Sequence, residues 1–245
     1  MSIEVIILAA GIGSRLKPYT EKDPKPLVKV NDIPILHNTI ENLITRDINN
    51  ISIVLGYNHQ VIINYLEEHF KHVKFKYIIN EKYAVTNNMY SLYLALKKNE
   101  CSAPLLIIEG DIFFEGGVLD YLESINVSGN YWFVDSLFRE SNGSYIRSSD
   151  GEISGISIVN DMEKIMNDEN YSKSTGMVYI SSIDSRNFYT WLEAYVENGE
   201  VNMYYDNVLA NYIEELKMRI IDIKDKKWYE IDNREDLEKA EMIFK

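Results

Sequence analysis

Three observations predict an α/β fold built on a doubly wound, mostly parallel sheet. Residues 3–10 form an apolar run, interrupted only by Glu4 and ending in Gly11, as expected of a strand buried on both faces of a parallel sheet. Runs of the same kind recur at 51–55, 73–79 and 105–109. Between these runs lie segments with helical spacing, so strand and helix alternate through the first half, with right-handed crossovers expected.

Ile35, Leu36, Ile40, Leu43 and Ile44 form one helical stripe, Val61, Ile62, Tyr65, Leu66 and Phe70 a second, and residues 90–96 a third helix. After about residue 130 the pattern changes. Residues 131–138 and 153–159 read as strands, separated by a polar loop over 140–151 rich in Ser, Asn and Gly. A further strand is predicted at 176–181, helices at 186–196 and 208–216, and a strand at 218–223. A closing helix spans 233–244 with Asn233 as N-cap. There is no repeat and no Pro/Gly-rich linker, so residues 1–245 are expected to form one domain, with a small β-rich insertion over approximately 131–215.

The 245 residues are 46% hydrophobic and 26% charged, ordinary values for a globular enzyme. With 25 Lys and Arg against 38 Asp and Glu, the net charge of −13 argues against nucleic acid and anionic membranes as partners. An anionic substrate then needs a local basic pocket. Cys101 is the only cysteine, which suits a reducing compartment. The N-terminus lacks the basic start and long apolar stretch of a signal peptide, and the apolar runs are too short to span a bilayer. A cytoplasmic protein, without membrane insertion, is expected.

The segment from Leu8 to Thr20, followed by Pro24-Lys25-Pro26-Leu27, carries the densest chemistry. Ala9, Ala10, Gly11 and Gly13 allow a sharp turn that brings backbone N–H groups up to a ligand, and Arg15 and Lys25 add positive charge. This combination suits a polyphosphate. Neither the dinucleotide fingerprint nor the P-loop pattern is met. A strand-end Gly110-Asp111 and a late Ile231-Asp232 before the last helix offer carboxylates for Mg²⁺, although helix capping is an equally simple role for Asp232. Glu109, Asp206 and Glu230 are further metal candidates.

The pattern Leu-Ala-Ala-Gly-x-Gly-x-Arg-Leu-x-Pro-x-Thr with Pro-Lys-Pro-Leu strongly resembles the signature of nucleotidyltransferases that activate sugar phosphates and related phosphoesters. That resemblance implies a Rossmann-like nucleotidyltransferase fold. It also implies that Leu8, Ala9, Ala10, Gly11, Gly13 and Arg15 bind the nucleotide, that Lys25, Arg15 and Asp111 are catalytic, and that Asp111 and Asp232 hold Mg²⁺. The stretch Asn87-Asn88-Met89-Tyr90-Ser91-Leu92-Tyr93-Leu94 is similar to bacterial choline-phosphate cytidylyltransferases, which implies CTP as donor and phosphocholine as the first-choice acceptor. Asn87 and Asn88 carry amides suited to a base edge or ribose, and equally suited to helix capping.

A quaternary ammonium favours aromatic faces beside a carboxylate, which Tyr204, Tyr205 and Asp206 supply, with Tyr145 as another aromatic candidate. Aminoethylphosphonate or another phosphorylated amine would satisfy the same groups. A sugar 1-phosphate acceptor and a non-catalytic nucleotide-sensing domain are the competing readings. His37, His59, His69 and His72 form no His-x-Gly-His element, which excludes the other large cytidylyltransferase fold. Exposed apolar surface is compatible with a homodimer.

Overall fold

The computed structural model describes residues 3–99, 103–138, 143–159, 165 and 168–245; Cys101 and the start of the expected 140–151 loop lie outside them. Among the described residues, a nine-stranded sheet organises the chain. Its strands are β1 (Glu4–Ala9), β4 (Ile51–Leu55), β5 (Lys76–Ile79), β6 (Leu105–Glu109), β8 (Tyr131–Asp135), β9 (Gly143–Ser149), β10 (Glu152–Val159), β11 (Tyr171–Ile180) and β12 (Arg219–Asp222). Two antiparallel pairs stand apart: β2 (Lys29–Val30) with β3 (Ile33–Pro34), and β7 (Ile112–Phe114) with β13 (Trp228–Glu230).

The sheet order is β5-β4-β1-β6-β11-β8-β12-β10-β9. The first four strands are parallel, and β1 sits between β4 and β6 with every residue buried, which explains its apolar sequence from Val5 to Ala9. From β11 onward the sheet is mixed: β11 runs antiparallel to β6 and β8, while β12 is parallel to β8. The strands β8 to β11 therefore extend the same sheet, and the rest of the expected insertion up to 215 holds helices rather than strands among the described residues.

Helices cover both faces. They are α1 (Tyr19–Lys22), α2 (Ile35–Ile44), α3 (His59–His69), α4 (Asn88–Lys98), α5 (Ser182–Glu197), α6 (Tyr205–Asn211), α7 (Ile213–Leu216) and α8 (Arg234–Ile243). One core cluster contains Val5 and Ile7 of β1 with Leu36, Leu43, Ile62 and Leu66, and the other contains Ile6 and Leu8 with Met89, Leu92 and Phe188. Alternate β1 side chains thus feed opposite layers. Among the described residues, no helix is long and apolar enough to cross a membrane.

Several boundaries differ from expectation. The polar stretch 143–149 is a strand that pairs with β10 and β11, its adjacent Tyr145 and Ile146 buried in different core clusters. β11 begins at Tyr171, since its polar start Ser172-Lys173-Ser174 hid it from a hydrophobicity reading. The helix expected over 208–216 is two short helices, broken at Tyr212.

Candidate active site

The turn after β1 is built around Gly13, whose φ of 68° lies in the left-handed region. A Cβ there would stand 2.6 Å from Cβ of Lys25, so the missing side chain lets Lys25 lie against the loop. Thr20 Oγ1 donates to the Gly13 carbonyl at 2.9 Å and closes the turn. At the end of β6, Gly110 permits a second close approach: a Cβ would meet the Leu8 carbonyl oxygen at 2.7 Å. Asp111 is thereby drawn up beside the loop.

Asp232 reaches the same place from the far end of the sequence. The β7–β13 pair sets Glu230 opposite Ile112, and the Ile231 amide donates to the Asp111 carbonyl at 2.9 Å. Lys25 Nζ then donates to Asp111 Oδ2 and to Asp232 Oδ1, both at 2.8 Å, and Arg15 pairs with Asp232 Oδ1 at 2.8 Å. Burial by itself would lower the Lys25 pKa, but the two carboxylates outweigh it and raise it. Burial likewise pushes Asp232 upward, and Lys25 with Arg15 pulls it below the usual carboxylate range. Helix capping falls to Asn233, which forms a capping box with Asp236 and leaves the Asp232 side chain to the cations.

These groups open on one cleft of about 760 Å³. It is lined by Leu8, Ala9, Ala10, Gly11, Gly13, Arg15, Lys25, Asn87, Asn88, Asp111, Tyr204, Asp206 and Asp232, all expected site residues. None of the four histidines lines it. Asn87 caps α4, its side chain accepting from the Asn88 amide at 2.9 Å. Asn88 Oδ1 accepts from the Tyr205 amide at 3.0 Å, tying α4 to α6. Both asparagines thus combine a structural bond with a place on the cleft wall.

Two of the expected aromatics do not face the cleft. Tyr145 is fully buried beside Val159 and Ile165, with Lys173 Nζ 5.8 Å from its ring centroid. Tyr205 is fully buried and stacks on Trp132 at a centroid distance of 6.5 Å. Strand alternation on β9 and the inward face of α6 turn them into the core. Of the proposed cage only Tyr204 and Asp206 remain at the cleft.

The inner end holds groups that the sequence reading ranked low or omitted. Glu109, Asp111 and Glu230 present carboxylate oxygens that lie within 4.8 Å of one another. Burial, then the charges of Asp111, Asp206 and Glu230, push the Glu109 pKa well above the usual range. Lys173, which is 2% exposed, donates to Glu230 Oε2 at 2.8 Å. Burial raises Glu230 while Lys173 opposes the rise. Ser144 donates to Asp206 Oδ2, yet burial leaves the Asp206 pKa raised. A lysine inside a Ser/Thr-rich strand segment was the one signal that could have exposed Lys173.

A family model described as "Nucleotidyl transferase" matches residues 4–243. The chain belongs to the nucleotidyltransferase family. A choline-phosphate cytidylyltransferase from Streptococcus pneumoniae is 31% identical over 99% of both chains. A 2-aminoethylphosphonate cytidylyltransferase from Lancefieldella rimae is 29% identical over 95% of this chain and 89% of that protein. The solved structure of the CTP:phosphocholine cytidylyltransferase from Streptococcus pneumoniae superimposes with a TM-score of 0.80 at 28% identity, covering both chains completely. As a nucleotidyltransferase, the chain has the α/β fold that its first strand and glycine turn announced.

Proposed function

We propose that this nucleotidyltransferase moves CMP from CTP to the phosphate or phosphonate oxygen of a small phosphorylated amine, releasing pyrophosphate. The observation that carries the reading is the convergence of the glycine turn, Arg15, Lys25, Asp111 and Asp232 on one cleft that also contains Asp206 and Tyr204. CTP as donor, and a phosphorylated amine as acceptor, are supported by the similarity to the two cytidylyltransferases.

In this reading an acceptor oxygen attacks the α-phosphorus in line, forming the new O–P bond as the bond to the pyrophosphate oxygen breaks. The acceptor oxygen is already anionic near neutral pH, so no base is required. The turn's N–H groups and Arg15 hold the leaving pyrophosphate, and Lys25 sits between the two anions and lowers their repulsion. Donor chemistry suits a hard divalent cation: Asp111 Oδ1 is buried without a hydrogen-bond partner among the described residues, close to the Glu109 and Glu230 carboxylates. Asp111, with Asp232 or the two glutamates, would hold Mg²⁺, whose contribution when bound is to offset phosphate charge.

Pyrophosphate release, measured for four NTPs against phosphocholine, 2-aminoethylphosphonate, phosphoethanolamine and glucose 1-phosphate with Mg²⁺, tests the proposal. Turnover confined to CTP with amine-bearing acceptors is expected. Turnover of glucose 1-phosphate with UTP or dTTP contradicts it, as does nucleotide binding without any turnover.

A further inference from the structure

The cleft's inner end contains an acceptor of hydrogen bonds that no described residue satisfies. Asp206 is 4% exposed, lines the cleft, and gives Oδ2 to the Ser144 hydroxyl. Its Oδ1 is buried and has no hydrogen-bond partner among the described residues. A buried carboxylate oxygen without a donor is costly, and a ligand N–H directed at it removes that cost.

The aromatic side of the comparison points the same way. A trimethylammonium group carries no N–H and is held by several ring faces around it. Here Tyr145 offers its ring to Lys173 and Tyr205 offers its ring to Trp132, both inside the core. Tyr83 also lines the cleft, but it belongs to the glycine-turn end: a Cβ on Gly56 would meet both its Cβ and the Ala10 carbonyl. Tyr204 is left as a single face beside Asp206. One ring makes no cage, whereas an unsatisfied carboxylate oxygen is complementary to an ammonium that still has hydrogens.

Of the stretch that suggested choline, Met89, Leu92 and Tyr93 are buried in the packing of α4, while Asn87, Asn88 and Ser91 line the cleft.

We propose that this nucleotidyltransferase takes a primary ammonium acceptor, an aminoalkyl phosphonate or aminoalkyl phosphate, in preference to a quaternary one, with Asp206 Oδ1 receiving an ammonium N–H. The inference rests on the transfer reaction proposed above and names its acceptor class. A site built to hydrogen-bond a substrate N–H rejects analogues lacking it much more strongly than a hydrophobic pocket rejects an extra methyl.

The test is kcat/KM with CTP and Mg²⁺ across a methylation series: phosphoethanolamine, its N-methyl and N,N-dimethyl derivatives, and phosphocholine. A fall of at least about tenfold from first to last, concentrated at the last methylation where the final N–H is lost, is expected. Phosphocholine turning over as well as or better than phosphoethanolamine overturns the preference while leaving the transfer reaction standing. No turnover with any of the NTPs and any acceptor sinks the transfer reaction, and this inference with it. In the Asp206→Asn variant, the ratio of kcat/KM for 2-aminoethylphosphonate to that for propylphosphonate, its isostere without nitrogen, is expected to collapse at least about tenfold. An unchanged ratio, with both acceptors weakened equally, reduces Asp206 to a packing role and overturns the assignment. Should that variant fail to fold, the methylation series on the unmodified protein decides alone.

Discussion

The two ends of the cleft are built in opposite ways. At the glycine-turn end, one contiguous segment supplies Leu8 to Arg15, and backbone conformation does the positioning, with Gly13 at a φ of 68° and Lys25 folded against it. At the inner end, Glu109, Ser144, Lys173, Asp206 and Glu230 arrive from five separate segments, and side-chain charges position one another. A backbone-built site is specified by a short string of residues. A side-chain-built site is specified by topology, here by β9, β11 and the β7–β13 pair meeting at the sheet's C-terminal edge.

The largest expected effect lies where the two ends meet. Lys25 bridges Asp111 and Asp232, so Lys25→Met removes the cation between the reacting anions and leaves two carboxylates facing each other. Turnover is expected to fall on the order of 10³-fold in a steady-state pyrophosphate assay, with Asp111→Asn costing about a hundredfold or more. Near-normal rates in either variant would separate that residue from the chemistry.

Next is Lys173→Met, which takes from Glu230 its paired cation and leaves it beside the Glu109 and Asp111 carboxylates. Breaking a buried pair by removing one partner costs about 3–5 kcal/mol, and Glu230's partial exposure places the expected loss at about 3 kcal/mol in urea unfolding. Unchanged stability would mean that the inner end is not held together by its charges. The smallest effect belongs to the backbone-built end. Gly13→Ala forces a Cβ into a left-handed position against Lys25, a strain of about 1–3 kcal/mol. The expected readout is weaker nucleotide affinity by isothermal titration with the fold retained; unaltered affinity would break the contrast between the two ends.

This contrast also explains what was legible in the sequence. β1, β4 and β6 and the loop from Leu8 to Arg15 could be read because burial on both faces forces mostly apolar runs, and because a turn needing glycine says so locally. Asp232 could be named but not assigned, since its capping alternative disappears only when Asn233 is seen to take that task. Tyr145 and Tyr205 were misplaced at the cleft because strand phase on β9 and the roll of α6 are fixed by partners distant in sequence. Lys173 was missed because its local signal, a lysine in a Ser/Thr-rich strand segment, does not show that Glu230 meets it from a distant segment.

The central claim is that both substrates of one transfer occupy this single cleft. A crystal structure of the protein with Mg²⁺, a non-hydrolysable CTP analogue and 2-aminoethylphosphonate tests it most directly. The triphosphate is expected on the turn from Gly11 to Arg15, with Lys25 between the α-phosphorus and the phosphonate and the amine at Asp206. Triphosphate and phosphonate bound in separate cavities, or Lys25 remote from both, would contradict the account.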